Sequence, residues 1–228
     1  SEYFQVSPAV VRIGEHYGPG SRPGGSQRIM LDTESANSTI TVFDSAAASP
    51  SGDTDLPPIR LLVNGATADL FVRKGKVGVA CVGATETATL RNIDLGFVAS
   101  RDSDANLLLG PGVTWTAITM SGGSCVVQSA GTSITQQAGA LLTEGSGAIG
   151  TVTVRGGVAT LNATGTITTL AADGGVIDLT KSNAARTVTN LTSARGAVAE
   201  VRYDPAVVTV TNKLAPTGPV IVSIRPAS

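Results

Sequence analysis

Short runs of apolar and β-branched residues recur through the second half of this chain, each set off by glycine, and this repetition constrains the fold more than any other feature. Cys125-Val126-Val127-Gln128 is followed by Leu141-Leu142-Thr143-Glu144, Val158-Ala159-Thr160-Leu161, Val176-Ile177-Asp178-Leu179 and Ala197-Val198-Ala199-Glu200-Val201. Leu107-Leu108-Leu109 precedes Cys125 at a similar interval. Threonine-rich runs alternate with these: Val113–Trp115, Thr132–Thr135, Thr151–Val154, Thr166–Leu170, Thr187–Leu191 and Val207–Thr211. Gly122-Gly123, Gly156-Gly157, Gly174-Gly175 and Gly196 punctuate them. Two short strands per repeat without helical periodicity predict the coils of a parallel β-helix. One coil cannot bury its inward face alone, whereas coils stacked about 4.8 Å apart share a continuous core.

The first half continues the pattern less regularly, with strands expected at Arg28–Leu31, Thr39–Phe43, Ile59–Val63, Ala68–Val72, Val77–Val82 and Thr87–Leu95. Ala46–Pro58, rich in Ser, Ala, Asp and Pro, reads as an exposed loop, and Thr180–Arg186 as a wide bend. The expected fold is therefore all-β, a parallel β-helix (β-solenoid) with coils of about 16–21 residues. Residues 1–27 read as an extended N-terminal arm, because a Gly/Pro tract at 18–25 follows the apolar Tyr3, Phe4, Val6, Val10, Val11 and Ile13. A strand capping the first coil, followed by a connector, fits those residues equally well. Residues 28–212 form the body, regular from about residue 105, and 213–228 a C-terminal cap strand in which Pro216, Pro219 and Pro226 bracket Val220–Ile224.

Composition narrows function. The 228 residues carry 16 Lys+Arg against 17 Asp+Glu, so no overall charge steers the chain to duplex DNA or an anionic membrane. The long stretch from Ala105 to Thr143 holds no charge, but Ser, Thr, Gln, Asn, Gly and Pro111 interrupt it, and no apolar run reaches the length of a membrane span. No basic-then-apolar leader is read in Ser1–Ile13. Cys81 and Cys125 sit in apolar runs and read as buried small hydrophobes, with a disulfide between them left open.

Catalytic and metal-binding patterns are sparse. The sole histidine, His16, stands in the arm, far from any Ser-His-Asp arrangement. Asp173 and Asp178 can approach around a turn, as paired carboxylates must for glycoside hydrolysis, but a turn acid and a strand-edge acid account for them as well. Asp102-Ser103-Asp104-Ala105-Asn106 opens like a calcium loop, then fails at Leu107, where glycine is needed, and at Val113, where glutamate is needed. Arg73-Lys74-Gly75-Lys76 reads as a solvated hairpin tip. No phosphate loop is present, and no catalytic residue, cofactor or metal site is assigned. The informative surface is the uncharged one, since soluble surfaces ordinarily mix both charge signs. Flat Ser/Thr ladders of short side chains lose little entropy when covered by a partner.

Leu61–Gly65, Val72–Ala80, Ala88–Arg91, Gly110–Trp115 and Ala185–Leu191 together resemble a group of phage and prophage structural proteins, over roughly Arg28 to Thr211. The resemblance rests on pattern and composition. It implies a virion component with a β-helix body near the head, and it transfers no functional residues. The expected function is non-enzymatic: a capsid decoration or cement protein on the virion's capsid surface. Its expected partners are the major capsid protein and further copies of itself, a trimer being one form, with neither nucleic acid nor membrane. Tyr3, Phe4, Val10, Val11 and Ile13 are the expected contacts, together with the Ser/Thr-rich face. A receptor- or glycan-binding fibre or spike is the alternative; it would use aromatic platforms, and Trp115 and Tyr203 are the scarce candidates. A bacterial surface adhesin is a third, weaker reading.

Overall fold

The computed structural model describes residues 4–6, 10–14, 29–33, 38–44, 57–63, 68–82, 85–96, 105–194, 197–213 and 221–224. These residues form β-strands joined by bends, with no helix among them. One sheet takes β1 (Phe4–Val6), β3 (Ile29–Thr33), β5 (Ile59–Val63), β7 (Gly75–Val79), β9 (Ala105–Leu109), β11 (Ser124–Val127), β13 (Ala140–Thr143), β15 (Val158–Leu161), β17 (Gly175–Asp178), β19 (Ala199–Tyr203) and β21 (Ile221–Ile224). The other takes β2 (Val10–Ile13), β4 (Thr39–Val42), β6 (Ala68–Val72), β8 (Ala88–Leu95), β10 (Val113–Met120), β12 (Gly131–Gln136), β14 (Ile149–Val154), β16 (Ile167–Ala172), β18 (Arg186–Thr192) and β20 (Val208–Lys213). The chain passes from one sheet to the other with each strand, and every neighbouring pair is parallel. This is a parallel β-solenoid.

Stacking places like on like. In the ten-stranded sheet Ile93, Ile118, Ile134, Val152 and Leu170 form one inward column, all buried. In the eleven-stranded sheet Leu107, Cys125, Leu141, Ala159 and Ile177 form another. Each buried Ile, Leu or Val contributes about 1.5–3 kcal/mol, so stability is spread along the axis. Bulk is balanced between adjacent coils. Trp115 lies directly under Gly131, where a Cβ would stand 2.2 Å from the indole ring. The Trp115 indole N–H donates to Ser129 Oγ at 3.1 Å.

The bend ahead of the eleven-stranded sheet is built from a glycine ladder. Gly139 and Gly157 have φ of 85° and 79°, and a Cβ on either would lie 2.2 Å from the carbonyl oxygen of the glycine one coil earlier, Gly123 and Gly139 respectively. Those same carbonyls accept from Ala140 N and Val158 N, so the close approach is what joins coil to coil.

Several expectations change on the structure. Coil length varies more than the runs suggest. Cys125 stacks on Leu141 and Leu141 on Ala159, which are short steps, whereas Val176 reaches Glu200 only after a longer one. In the first half Ile29 stacks on Ile59 and Gly75 on Ala105, both well beyond the expected coil length. Extra residues enter the bends and leave the registers intact. The segment 73–76 is no hairpin tip, because β6 and β7 belong to different sheets and the segment turns the corner between them. Within 1–27, β1 pairs with β3 and β2 with β4, so these strands belong to the first coil. The alternation of β2 turns Ile13 into the core and packs Val11 against it, which removes both as freely projecting arm contacts. Val10 is 55% exposed; Phe4 starts β1, and Tyr3, His16 and the Gly/Pro tract lie outside the described residues. At the other end β21 continues the stack on β19 in parallel register.

Candidate interaction surface

The outward face of the ten-stranded sheet is a three-row array without charge over five coils. One row runs Thr119, Thr135, Thr153, Ala171, Thr192. A second runs Ala117, Ser133, Thr151, Thr169, Asn190. Strands β10, β12, β14 and β16 each turn two successive residues outward together, as Gly150 and Thr151 stand between the inward Ile149 and Val152. This kink adds a third row of Thr116, Thr132, Gly150, Thr168 and Thr189. Hydrogen bonds tie the rows to the backbone: Ser133 Oγ donates to Thr116 O at 3.2 Å and Asn190 Nδ2 to Thr168 O at 3.1 Å. Asn212 Nδ2 extends the ladder to Asn190 Oδ1 at 2.9 Å. The array passes well beyond Thr143, where the uncharged stretch of sequence ends. Glu144, Arg155 and Asp173 fall in bends between strands and leave the face clear.

The same coils differ on the opposite sheet. There Leu108, Val126 and Leu142 stack outward in one row, with Ser124, Ala140, Val158 and Val176 in the next. Val158 is 46% exposed. A groove of about 420 Å³ opens over Val126, Ala140, Leu142 and Val158, and is flanked by Asn162 and Lys181. Lys181 comes from the 179–185 bend, which Arg186 pins from beneath: its Nη2 donates to Leu179 O and, at 2.8 Å, to Ser182 O. Burial lowers the Arg186 pKa, and nearby Asp178 opposes this only in part. Sequence reading misses this surface, because it counts every apolar run as core.

Several of the described charged residues serve the scaffold. Arg91 grips Asp69 with two nitrogens, Nε at 3.0 Å, and Asn92 adds bonds from its backbone and side chain at 3.1 and 2.9 Å. That Arg91 contact, against partial burial, holds the Asp69 carboxyl below its usual range. Arg73 bonds Asp94 at 3.2 Å and Gly96 O at 2.7 Å, and Lys74 pairs with Asp44 at 3.4 Å, so the basic cluster lies over acidic neighbours. Asp173, in the bend before β17, accepts from Ala194 N of the next coil at 2.7 Å, and Asp178, the last residue of β17, accepts from Thr180 N at 2.8 Å, so one is a turn acid and the other a strand-edge acid. Both cysteines are free; burial pushes the Cys125 thiol up to about 12 and raises Cys81, which keeps them as neutral thiols. Trp115 and Tyr203 are 2% and 3% exposed, which withdraws both named aromatic platforms. Among the described residues no three His, Cys, Asp or Glu side chains cluster closely enough to hold a metal ion, and no helix is long and apolar enough to cross a membrane. No protein-family model, curated relative or solved structure matches the chain.

Proposed function

We propose that this chain is a non-enzymatic structural protein of a virion, a decoration or cement protein that binds the capsid surface through the uncharged face of its ten-stranded sheet. The observation that carries the reading is the array from Thr116 to Thr192, rich in hydroxyls, free of charge and built from side chains that lose little freedom when covered. A lattice adds effective concentration, so modest contacts repeated over many copies give firm attachment. The major capsid protein is the proposed partner and further copies of the chain a second one. Of the expected contacts whose side chains are described, Val10 is the exposed one.

The burial of Trp115 and Tyr203 supports this reading over a glycan-binding fibre that uses either ring as a sugar platform. Immunogold electron microscopy of purified particles with antibody raised against the chain tests the proposal. Gold distributed over the head is the expected result. Gold confined to tail fibres, or particles that carry none of the protein, refutes it. Light scattering at micromolar concentration tests self-association separately, and a clean monomer removes that part.

A further inference from the structure

The outward rows of the ten-stranded sheet do not stop at β10. The row of Thr119 and Thr135 continues back through Asp94 of β8 to Phe71 of β6 and Thr41 of β4. Strand alternation turns Phe71 outward, between the buried Leu70 and Val72. Val42 stacks on Val72, so Phe43 and Arg73, the residues that follow them, stand on neighbouring coils. Phe43 is 36% exposed. The Arg73 guanidinium lies 5.4 Å from the centre of the Phe71 ring and is held there by Asp94 Oδ1 at 3.2 Å and Gly96 O at 2.7 Å. The rings of Phe43 and Phe71 and a fixed arginine thus adjoin the hydroxyl array on its own sheet.

We infer that this patch anchors the chain to the capsid surface: Phe43 and Phe71 enter an apolar recess of the major capsid protein, and the hydroxyl array supplies the fit around them. The inference rests on the attachment proposed above and names the residues that give it strength. Composition separates the two parts. A hydroxyl that leaves water for a partner exchanges one hydrogen bond for another, so its net gain is small. Ser and Thr are accordingly scarce among the residues that dominate binding, where aromatic rings and arginine are common. A phenyl ring gains in proportion to the apolar surface it takes from water, and it gives up no hydrogen bond. Arg73 is already ordered by its contacts, so covering it costs little rotamer freedom. Charge selects the partner's chemistry. Arg73 pairs with Asp94, Lys74 with Asp44 and Arg91 with Asp69, so an apolar recess suits the patch and a strongly charged surface does not.

The test is co-sedimentation of the full chain with purified particles over a concentration series, with circular dichroism and melting temperature recorded for each variant. Phe43→Thr combined with Phe71→Thr puts the array's own residue in place of the rings and keeps every charge. The expected result is a folded variant that binds at least about tenfold more weakly, while Thr135→Ala stays within about threefold of the unaltered chain. If the double variant fails to fold, Phe43→Thr alone decides, with a loss of at least about threefold expected. A smaller loss by the folded ring variant overturns the inference, as does a Thr135→Ala loss as large as that of the rings. It is also overturned if ring replacement only dissolves a dimer of the free chain, seen by light scattering, and leaves particle binding unchanged. An unaltered chain that does not sediment refutes the attachment and this anchor with it, whereas binding indifferent to the rings refutes the anchor alone.

Discussion

On the ten-stranded sheet, the coils between Ala117 and Thr192 turn hydroxyls, amides and small side chains outward. On the eleven-stranded sheet, overlapping coils turn out Leu108, Val126, Leu142 and Val158. Both faces are nearly free of charge, yet one is a ladder of hydroxyls and small side chains and the other an apolar groove. The difference shows that low charge in a solenoid is not one property. The axial stack decides which residues stand side by side, and the local residue type then decides whether the resulting row seeks water, a flat partner or an apolar segment.

The largest way to break the comparison is to break the stack on which both faces depend. Gly157→Val puts a β-branched side chain at φ 79° and against Gly139 O, so a loss of at least about 3 kcal/mol in urea unfolding, or failure to fold, is expected. A finer cut contrasts the two sides of one strand. Ile134→Ala opens a cavity in a fully buried column and is expected to cost about 2–5 kcal/mol, while Thr135→Ala, one residue on and facing outward, is expected to cost less than about 1 kcal/mol. Similar values for the two would mean that the outward row is structural, which would sharpen the case against its role as a contact surface.

The smallest effect belongs to the ion-paired early coils. Asp69 has a folded-state pKa below its unfolded value, so the stability it lends is complete above that unfolded value, about 3.9, and is lost as pH falls through the folded one. The melting temperature of Asp69→Asn should therefore lie below that of the unaltered chain at pH 6, and the gap should narrow as pH falls below the unfolded value. A constant gap across that range contradicts the assignment. The Arg91 partner is half exposed, so screening keeps the whole effect small.

Much of the fold is legible in the residues, because Thr/Val/Ile alternation and glycine spacing report β-coils directly. Ile59–Val63 and Ala68–Val72 stand where the pattern puts them. The errors have physical causes. Aligning runs on their first apolar residue sets Val158 beside Leu141, but Val158 faces outward, and the inward partner of Leu141 is the small Ala159. The strand from Val113 reads as ending at Trp115 because Thr116 and Ala117 both face out and interrupt the period of two. Of the candidate surfaces, the uncharged face is legible in outline; its reach to Thr192 is hidden by charges that the fold sends to the bends. The groove is hidden altogether. In Val126-Val127 and Leu141-Leu142 one residue faces in and one out, and composition cannot say which.

The central claim is that the hydroxyl array is the attachment face, and co-sedimentation with purified particles tests it most directly. The double variant Thr135→Arg, Thr153→Arg places two long cations in the middle of the array, on positions that are already partly exposed. The account predicts that this variant keeps its circular dichroism and melting temperature but no longer sediments with particles that bind the unaltered chain. Full co-sedimentation of the folded double variant would contradict it.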